Sequence, residues 1–186
     1  MGTTYKVLGQ AAPAPTSSTI TTKALTSNVA TITTAAAHGF VVGQAVTIIL
    51  TASDYAFDAV RTVATVPTST TFTVYSGSSN VTSIAATGTV TGMAWTTLYT
   101  CPAITSAVVS TLVVTNRGDS AAYYMVATSA TTSPESKEIF VWNDLAAGRE
   151  TVGLTLGITL DPVVKYLMVA ASNSKFSFNA YGTEIT

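Results

Sequence analysis

Side chains able to carry out acid–base, metal or nucleophilic chemistry are scarce in this sequence. Its 186 residues include 8 Lys and Arg, 9 Asp and Glu, one histidine (His38) and one cysteine (Cys101). An enzyme that moves protons, binds a metal or handles phosphate needs several ionisable groups converging on one pocket. Because charged residues make up only 9% of the chain, the composition favours a structural or binding protein over an enzyme.

A single cysteine excludes an intramolecular disulfide. Cys101 is expected to be a small buried hydrophobic residue or, less often, a partner in an intermolecular disulfide. With 47% hydrophobic residues, a chain of this length has enough apolar side chains for a core without disulfides. Synthesis in the cytosol, which keeps thiols reduced, is compatible with this composition.

A surplus of charge of one sign and long apolar runs are also missing. The formal net charge is −1 and the pI about 5.7, which leaves no chain-wide attraction to nucleic-acid phosphates or anionic lipid. Polar residues or glycine interrupt every hydrophobic stretch before the roughly 18 residues that a membrane span requires. Residues 1–7 lack the apolar core of a signal peptide. We expect a soluble protein that binds neither nucleic acid nor membrane and is not exported by a signal peptide.

Threonine and serine are abundant and together supply about three residues in ten. The branched Cβ of threonine packs well on a pleated surface and favours strands. The mean hydropathy of +0.43 is high for a monomer with so few charges. We therefore expect neighbouring subunits to cover much of the surface.

Short alternating segments bounded by Gly, Pro, Asn, Asp or Ser predict many strands and little helix. Such segments lie at 28–33, 44–50, 60–66, 71–75, 107–115, 122–127, 138–142, 151–160, 166–171 and 176–181. Strands at intervals of about 8 to 12 residues are typical of an antiparallel sandwich. The sequence therefore predicts an all-β fold, an antiparallel β-sandwich of immunoglobulin-like or jelly-roll-like type.

Two junctions divide the chain. The first is the Pro- and Ser-rich run at 11–18, and the second is the glycine-bearing segment at 88–94. The simplest arrangement is an outer β-sandwich domain formed by residues 1–14 and 95–186, with a small β-rich domain at 15–94 inserted between its first two strands. The alternative is two domains in tandem behind an N-terminal arm.

Two sets of segments carry a resemblance to known proteins. The outer set is YKVLGQ at 5–10, TTLYTCP at 96–102, VVSTLVVTN at 108–116, VGLTLGITL at 152–160 and FSFNAYGTEI at 176–185. These segments resemble a family of small virion proteins of tailed bacteriophages, whose shorter members hold the first two close together. The inserted part, with HGF at 38–40, VGQ at 42–44 and TTFTV at 70–74, resembles a β-rich module of phage structural proteins. The resemblance implies a virion component with an insertion, and it brings no catalytic residue to this chain.

His38 could act as a base or a metal ligand only with carboxylates from elsewhere in the chain. Asp54 and Asp58 are candidates, but nothing in the sequence fixes their geometry, so we expect His38 to stabilise a turn or pack in the core. Together with Ser53 and Asn80, the two aspartates could also form an oxygen-rich calcium site. They lack the dense carboxylate spacing of a calcium loop, however, and are expected to be ordinary turn residues.

Serine nucleophiles and phosphate-binding loops receive no support. A serine nucleophile needs a histidine base beside it, and the chain has a single histidine and no Gly-x-Ser-x-Gly element. Ser110, Ser129 and Ser133 are therefore not expected to be nucleophiles. Gly148 and Gly157 precede neither a helix start nor an adjacent lysine, as a phosphate loop would require. We assign no catalytic, cofactor-binding or metal-binding residue and expect no cofactor.

An Arg-Gly-Asp triplet at 117–119 lies in a predicted hairpin turn. It could be interpreted as a receptor-adhesion motif. The preceding asparagine and the central glycine are also ordinary turn residues, because glycine supplies the positive φ that such loops often need. A turn is therefore the expected role.

Aromatic residues recur at alternating positions in the second half. We expect Phe140, Trp142, Phe176, Phe178 and Tyr181 to fill one face of the outer sandwich. A carbohydrate-binding platform would instead require several of these rings to be exposed together.

Composition and resemblance together predict a non-enzymatic virion protein, a capsid decoration or cement protein that stabilises the head lattice and is synthesised in the host cytoplasm. Its partners would be the major capsid protein and copies of itself, and the local threefold positions of a capsid lattice favour a trimer. The N-terminal arm, residues 1–10, is expected to add a strand to a neighbouring chain. The alternative is a neck or tail protein, or a fibre-type module that attaches to a host glycan.

Overall fold

The computed structural model describes residues 3–186, which form fourteen strands and one short 3₁₀ turn at Ser136–Glu138. The strands are β1 (Thr3–Ala11), β2 (Thr16–Thr26), β3 (Val29–Thr34), β4 (Ala45–Leu50), β5 (Ala59–Thr68), β6 (Thr71–Tyr75), β7 (Val81–Gly92), β8 (Thr96–Thr100), β9 (Ser106–Asn116), β10 (Ala122–Ser129), β11 (Ile139–Ala146), β12 (Thr151–Leu160), β13 (Tyr166–Ala171) and β14 (Phe176–Ile185). The predicted all-β fold is confirmed. None of the helices within this range is long and apolar enough to cross a membrane.

The chain divides into two compact units. Pro15–Met93 form one unit, and Ala94–Thr186 together with the N-terminal segment that ends at Ala14 form the other. The second of these contains β1 and β8–β14, and the first contains β2–β7. The boundaries fall at the Pro- and Ser-rich run and at the glycine-bearing segment that the sequence marks as junctions.

The unit that contains both termini is a sandwich of two antiparallel sheets, ordered β1-β14-β9-β12 and β11-β10-β13-β8. Counted along this unit, the strands pair first with eighth, second with seventh, third with sixth and fourth with fifth. That set of pairs arises when one long antiparallel ribbon folds over on itself, and it defines the jelly-roll topology. The sandwich prediction is therefore confirmed in its jelly-roll form.

Alternation along the strands fills the jelly-roll core. On β14, Phe176 and Phe178 are fully buried while the intervening Ser177 faces outward. Tyr124 of the opposite sheet packs against both rings, with centroids 5.9 and 6.1 Å away, and β9 adds the buried Leu112. Because side chains alternate between the two faces of a strand, each strand supplies one apolar row to the core and one row to the outside.

The unit of β2–β7 is a closed barrel with strand order β2-β3-β6-β5-β4-β7. Its interior is filled by large apolar side chains, including Ile20, Ile32, Phe57 and Phe72, each of which is at most 1% exposed. Closure pairs every barrel strand on both sides, which protects the edges of a small sheet.

The N-terminal strand pairs within its own chain. Thr3–Ala11 pair antiparallel with β14 of the same chain, from Thr3 opposite Ile185 to Ala11 opposite Phe178. This pairing occupies one side of β1, and the addition of a strand to a neighbouring chain by residues 1–10 stays a prediction. Met1 and Gly2 lie outside the described residues.

Candidate functional site

His38 is a core residue of the barrel. It is 2% exposed and stacks on Phe40 with 4.7 Å between ring centroids, and it packs edge to face with Phe72 with 5.3 Å between ring centroids. Its Nδ1 accepts a hydrogen bond of 3.0 Å from the backbone N–H of Phe40. Burial lowers the pKa of His38, so the ring is held neutral among aromatic neighbours.

The HGFVVGQ segment that contains this histidine ends at Gln44, a polar residue whose role was missed by sequence reasoning. Gln44 is fully buried; its Oε1 accepts from the backbone N–H of Val41 at 3.1 Å and its Nε2 donates to the carbonyl of Met93 at 2.8 Å. Gly39 and Gly43 have φ of 68° and 86°, which glycine adopts without strain. A glutamine beside a turn glycine is the signal that could have indicated this bracing role.

Asp54 and Asp58 brace the loop between β4 and β5. The carboxylate of Asp58 accepts from the backbone N–H groups of Leu50 (2.7 Å) and Asp54 (2.8 Å). Asp54 accepts from the N–H of Ala56 at 3.0 Å and pairs with the Lys23 ammonium at 2.6 Å, which lowers the pKa of this carboxyl. Both carboxylates therefore stabilise the loop, as turn residues do.

The other candidate polar residues lie apart from these aspartates. Asn80 accepts from the backbone N–H of Ser27 at 2.9 Å, at the turn between β2 and β3. Ser110 donates to the carbonyl of Tyr181 at 3.1 Å, and Ser129 donates to the Glu138 carboxylate at 2.9 Å. Across residues 3–186, no group of three or more His, Cys, Asp or Glu side chains is placed to hold a metal.

Cys101 is buried, as its isolation in the sequence predicted. It is 2% exposed, and its Sγ lies 3.1 Å from the carbonyl oxygen of Thr105. Burial raises the pKa of the thiol, so the reactive thiolate is disfavoured in the native protein.

The Arg-Gly-Asp triplet lies in a turn of the jelly roll and is joined to neighbouring loops by hydrogen bonds and an ion pair. Arg117 donates to the carbonyl of Lys175 through its backbone N–H (2.9 Å) and its Nε (3.2 Å). Asp119 forms an exposed ion pair with Arg149 at 2.6 Å. Asn116, immediately before the triplet, is fully buried and accepts from the N–H of Gly118 at 3.0 Å.

The aromatic residues of the jelly roll do not share one face, which corrects the sequence prediction. Phe176 and Phe178 are in the core, whereas Phe140 and Trp142 on β11 are 42% and 39% exposed. On β11 the intervening Val141 packs against the core instead, so the alternation turns both aromatic rings outward. Tyr181 lies on the outside of the other sheet.

The outer side of the β1-β14-β9-β12 sheet has an unusual composition. We call it the threonine face and define it by the outward residues that pair in register across the sheet, which are Tyr5, Val7, Gln10, Val108, Thr111, Val113, Thr115, Thr151, Gly153, Thr155, Thr159, Ser177, Asn179, Tyr181 and Thr183. These residues fall into register across four strands, for example Val7, Tyr181, Thr111 and Thr155 in one row. Every side chain in this set is uncharged. The charged residues of the unit lie mainly in loops and at strand ends.

Comparison with known proteins adds little to this description. No protein-family model matches the chain, and no curated protein matches it. Among solved structures, the chain is similar to the crystal structure of the STIV MCP, with 9% identity, a TM-score of 0.26, and coverage of 98% of this chain and 96% of that chain. A likeness at this TM-score carries no argument about fold or function.

Proposed function

We propose that this chain is a non-enzymatic structural protein of a virion, and that it acts as a decoration or cement protein on the head of a tailed bacteriophage. The threonine face is the observation that carries the proposal. Its rows of Thr, Val, Ser, Asn and Tyr span a whole four-stranded sheet. Interface centres are depleted of charged residues and enriched in aromatic ones such as tyrosine.

Burying an uncharged face avoids the cost of removing charges from water. An ionised side chain taken into an interface without a partner incurs several kcal/mol of desolvation, whereas threonine and valine do not. A protein that presents such a face across the junction between two capsid subunits would hold them together. Repeated over the lattice, these contacts would offset the outward pressure of the packed genome.

The polar residues that could have pointed to catalysis support a structural role, because they are engaged in the fold itself. The His38 ring stacks on Phe40 in the barrel core. The Asp58 carboxylate accepts hydrogen bonds from two backbone N–H groups. The resemblance of the outer segments and of the HGFVVGQ region to phage structural proteins points in the same direction.

Co-sedimentation with expanded, undecorated phage heads tests the proposal. We expect saturable binding at a fixed ratio to the major capsid protein. Tyr181→Lys places a charge in the middle of the threonine face and should weaken binding about tenfold or more. Tyr55→Lys is the matched control, since Tyr55 is 92% exposed in the barrel and the same change there should leave binding unaltered.

Three outcomes would contradict the proposal. Native protein that does not bind heads removes the decoration role. Equal binding by the two lysine variants, both shown to be folded by circular dichroism, removes the threonine face as the contact. Loss of binding by Tyr55→Lys with retention by Tyr181→Lys assigns the contact to the barrel.

One observation favours the fibre-type alternative. Tyr123, Phe140, Trp142 and Leu145 are all more than a third exposed, and Tyr123 lies directly opposite Leu145 on neighbouring strands. Exposed aromatic rings can bind sugar rings as well as protein. Binding of the native protein to host cells, lost in Trp142→Ala and accompanied by no binding to heads, would favour attachment over decoration.

A further inference from the structure

Strand β12 is a long open edge of the jelly roll. It pairs with β9 from Thr151 opposite Thr115 to Leu160 opposite Ala107, and it is the last strand of its sheet within residues 3–186. Every second residue of an edge strand directs its N–H and C=O away from the sheet, where another strand can pair with them. Strand β12 presents such an edge over its length of ten residues.

The other edges of the sandwich carry a charge, a nearby proline or a short length, which discourage pairing, and β12 has none of these. Strand β1 contains Lys6, and β11 contains Asp144 and a left-handed residue, Asn143, with φ of 46°. Strand β8 has five residues and is followed closely by Pro102. Charges, bulges, prolines and short length are the usual ways in which proteins protect an edge. Strand β12 is uncharged and free of proline, and its one irregularity is a shift of one residue in its pairing with β9 between Thr155 and Ile158.

The inward row of β12 is incompletely covered. Val152, Leu154, Leu156 and Ile158 pack against the jelly-roll core yet remain partly exposed. An edge strand covers its inward side chains on one flank only. A further strand placed alongside β12 would cover the other flank and bury more apolar surface, worth about 25 cal/mol for each Å² removed from water.

The sequence of β12 indicates which strand could lie alongside it. Residues 151–159 are Thr-Val-Gly-Leu-Thr-Leu-Gly-Ile-Thr, which reads the same in both directions about Thr155 when Val152 and Ile158 are counted as equivalent. A two-fold contact requires a surface that is complementary to itself. We propose that β12 pairs antiparallel with β12 of a second copy of this chain, with Thr155 opposite Thr155 on the two-fold axis.

This register places equivalent residues of the two strands opposite one another on both sides of Thr155. Leu154 faces Leu156 of the partner and Val152 faces its Ile158, so the inward aliphatic rows become continuous. On the outer side, Thr151 faces Thr159 and Gly153 faces Gly157. Cross-strand threonine and branched aliphatic pairs stabilise antiparallel sheets, and like charges are absent because the strand carries none.

The two glycines of β12, Gly153 and Gly157, are compatible with a second strand beside this edge. An added Cβ at Gly153 or Gly157 would meet nothing within 4 Å, and neither residue has a positive φ, so the fold of one chain does not require glycine there. At Gly9 and Gly182, by contrast, a Cβ would collide with a backbone carbonyl. Glycine inside a strand weakens it and often marks a bulge or a close approach by another backbone. Gly157 lies at the register shift of β12, whereas Gly153 lies in its regular part, opposite Val113.

The contact joins two four-stranded sheets into one of eight strands and makes a dimer rather than the trimer expected from a capsid lattice. It does not depend on the virion role, because self-association can be measured with the isolated chain. Sedimentation equilibrium of the native protein should therefore give twice the mass of 19.1 kDa at micromolar concentration.

A charge swap at the two-fold axis tests the register. Thr155→Lys and Thr155→Glu each place like charges directly opposite one another and should weaken the dimer about tenfold. An equimolar mixture of the two, with one ¹⁵N-labelled, should form heterodimers in preference to either homodimer, as measured by native mass spectrometry. Thr155 is exposed on the edge strand, so both variants should fold.

Thr111→Lys is the control that separates edge pairing from packing of one sheet on another. Thr111 lies beside Thr155 in the same row of the threonine face, but on β9, so edge pairing predicts an unchanged dimer. A monomeric or trimeric native protein, unchanged association of the Thr155 variants, or no preference for heterodimers overturns the proposal. Equal weakening by Thr111→Lys would assign the contact to the face and likewise overturn it.

Discussion

The substitution Asn116→Asp is expected to destabilise the jelly roll severely, although it changes one side-chain nitrogen to oxygen. Asn116 is fully buried at the end of β9. Its Nδ2 donates to the carbonyls of Ser120 (2.9 Å), Ala147 (3.0 Å) and Ala146 (3.1 Å). An aspartate would direct an acceptor oxygen, charged at neutral pH, toward these three carbonyls.

The magnitude follows from the hydrogen bonds that are lost. The amide has two protons to share among three carbonyls, so about two full hydrogen bonds disappear. Each buried polar group left without a partner costs about 1–3 kcal/mol, which gives about 4 kcal/mol before the burial of a charge is added. With a urea dependence of about 2 kcal/mol per molar for a unit of this size, the unfolding midpoint should fall by about 2 M.

Tryptophan fluorescence measures this unit selectively, because Trp95 and Trp142 both lie in it and the protein contains 2 tryptophans. Asn179→Asp is the matched control. Asn179 is half-buried on the threonine face, where its Oδ1 accepts one hydrogen bond of 2.6 Å from Gln10. That acceptor is retained in the variant, so its midpoint should move by less than about 0.5 M.

A midpoint for Asn116→Asp within about 0.5 M of the native value would refute the reasoning. It would mean that the three carbonyls find other donors, and that the buried amide does not hold the β9–β10 turn to the β11–β12 loop. An equal fall for Asn179→Asp would mean that the effect follows from added charge and not from the buried contacts.

Three further predictions concern single groups. Hydrogen bonds from Lys6 and Tyr99 lower the pKa of Glu184, so the jelly roll should lose stability as pH falls below about 4.5, and Glu184→Gln should flatten that part of a fluorescence-monitored acid titration. Burial lowers the pKa of His38, so the unfolded barrel binds protons more readily than the folded one. The free energy of unfolding of the barrel, followed by amide hydrogen exchange, should therefore fall as pH drops below about 6.5. In His38→Gln this dependence on pH should diminish. Cys101 should react with a thiol reagent at least about a hundredfold faster in urea than in native buffer; equal rates would contradict its burial.

Much of the fold follows from local rules that the sequence displays. Alternation in segments such as 176–181 depends only on side chains pointing to opposite faces, so it predicted strands and the buried pair Phe176 and Phe178. The same alternation on β11 could not reveal which row faced inward. Phe140 and Trp142 were assigned to the core because aromatic rings usually occupy it, but on β11 the smaller Val141 packs against the core and the two rings point outward.

The candidate sites show the same division. Local turn chemistry predicted the roles of Asp54 and Asp58, since both accept hydrogen bonds from backbone groups within eight residues. Gln44 was missed because its Nε2 bonds to Met93, 49 residues away. Contacts across that separation depend on how the barrel closes, which no local pattern reports.

Composition and period-two alternation act residue by residue, so they were enough to establish that this protein is all-β, poor in ionisable groups, and lacking a disulfide within the chain. The pairing of strands, which sets Thr3–Ala11 against β14 and leaves β12 at an edge, became known only from the three-dimensional fold. Strand pairing joins residues far apart in sequence, and many pairings satisfy the same alternating pattern. The uncharged threonine face exists for the same reason, since its rows come from four strands that only the jelly-roll topology brings together.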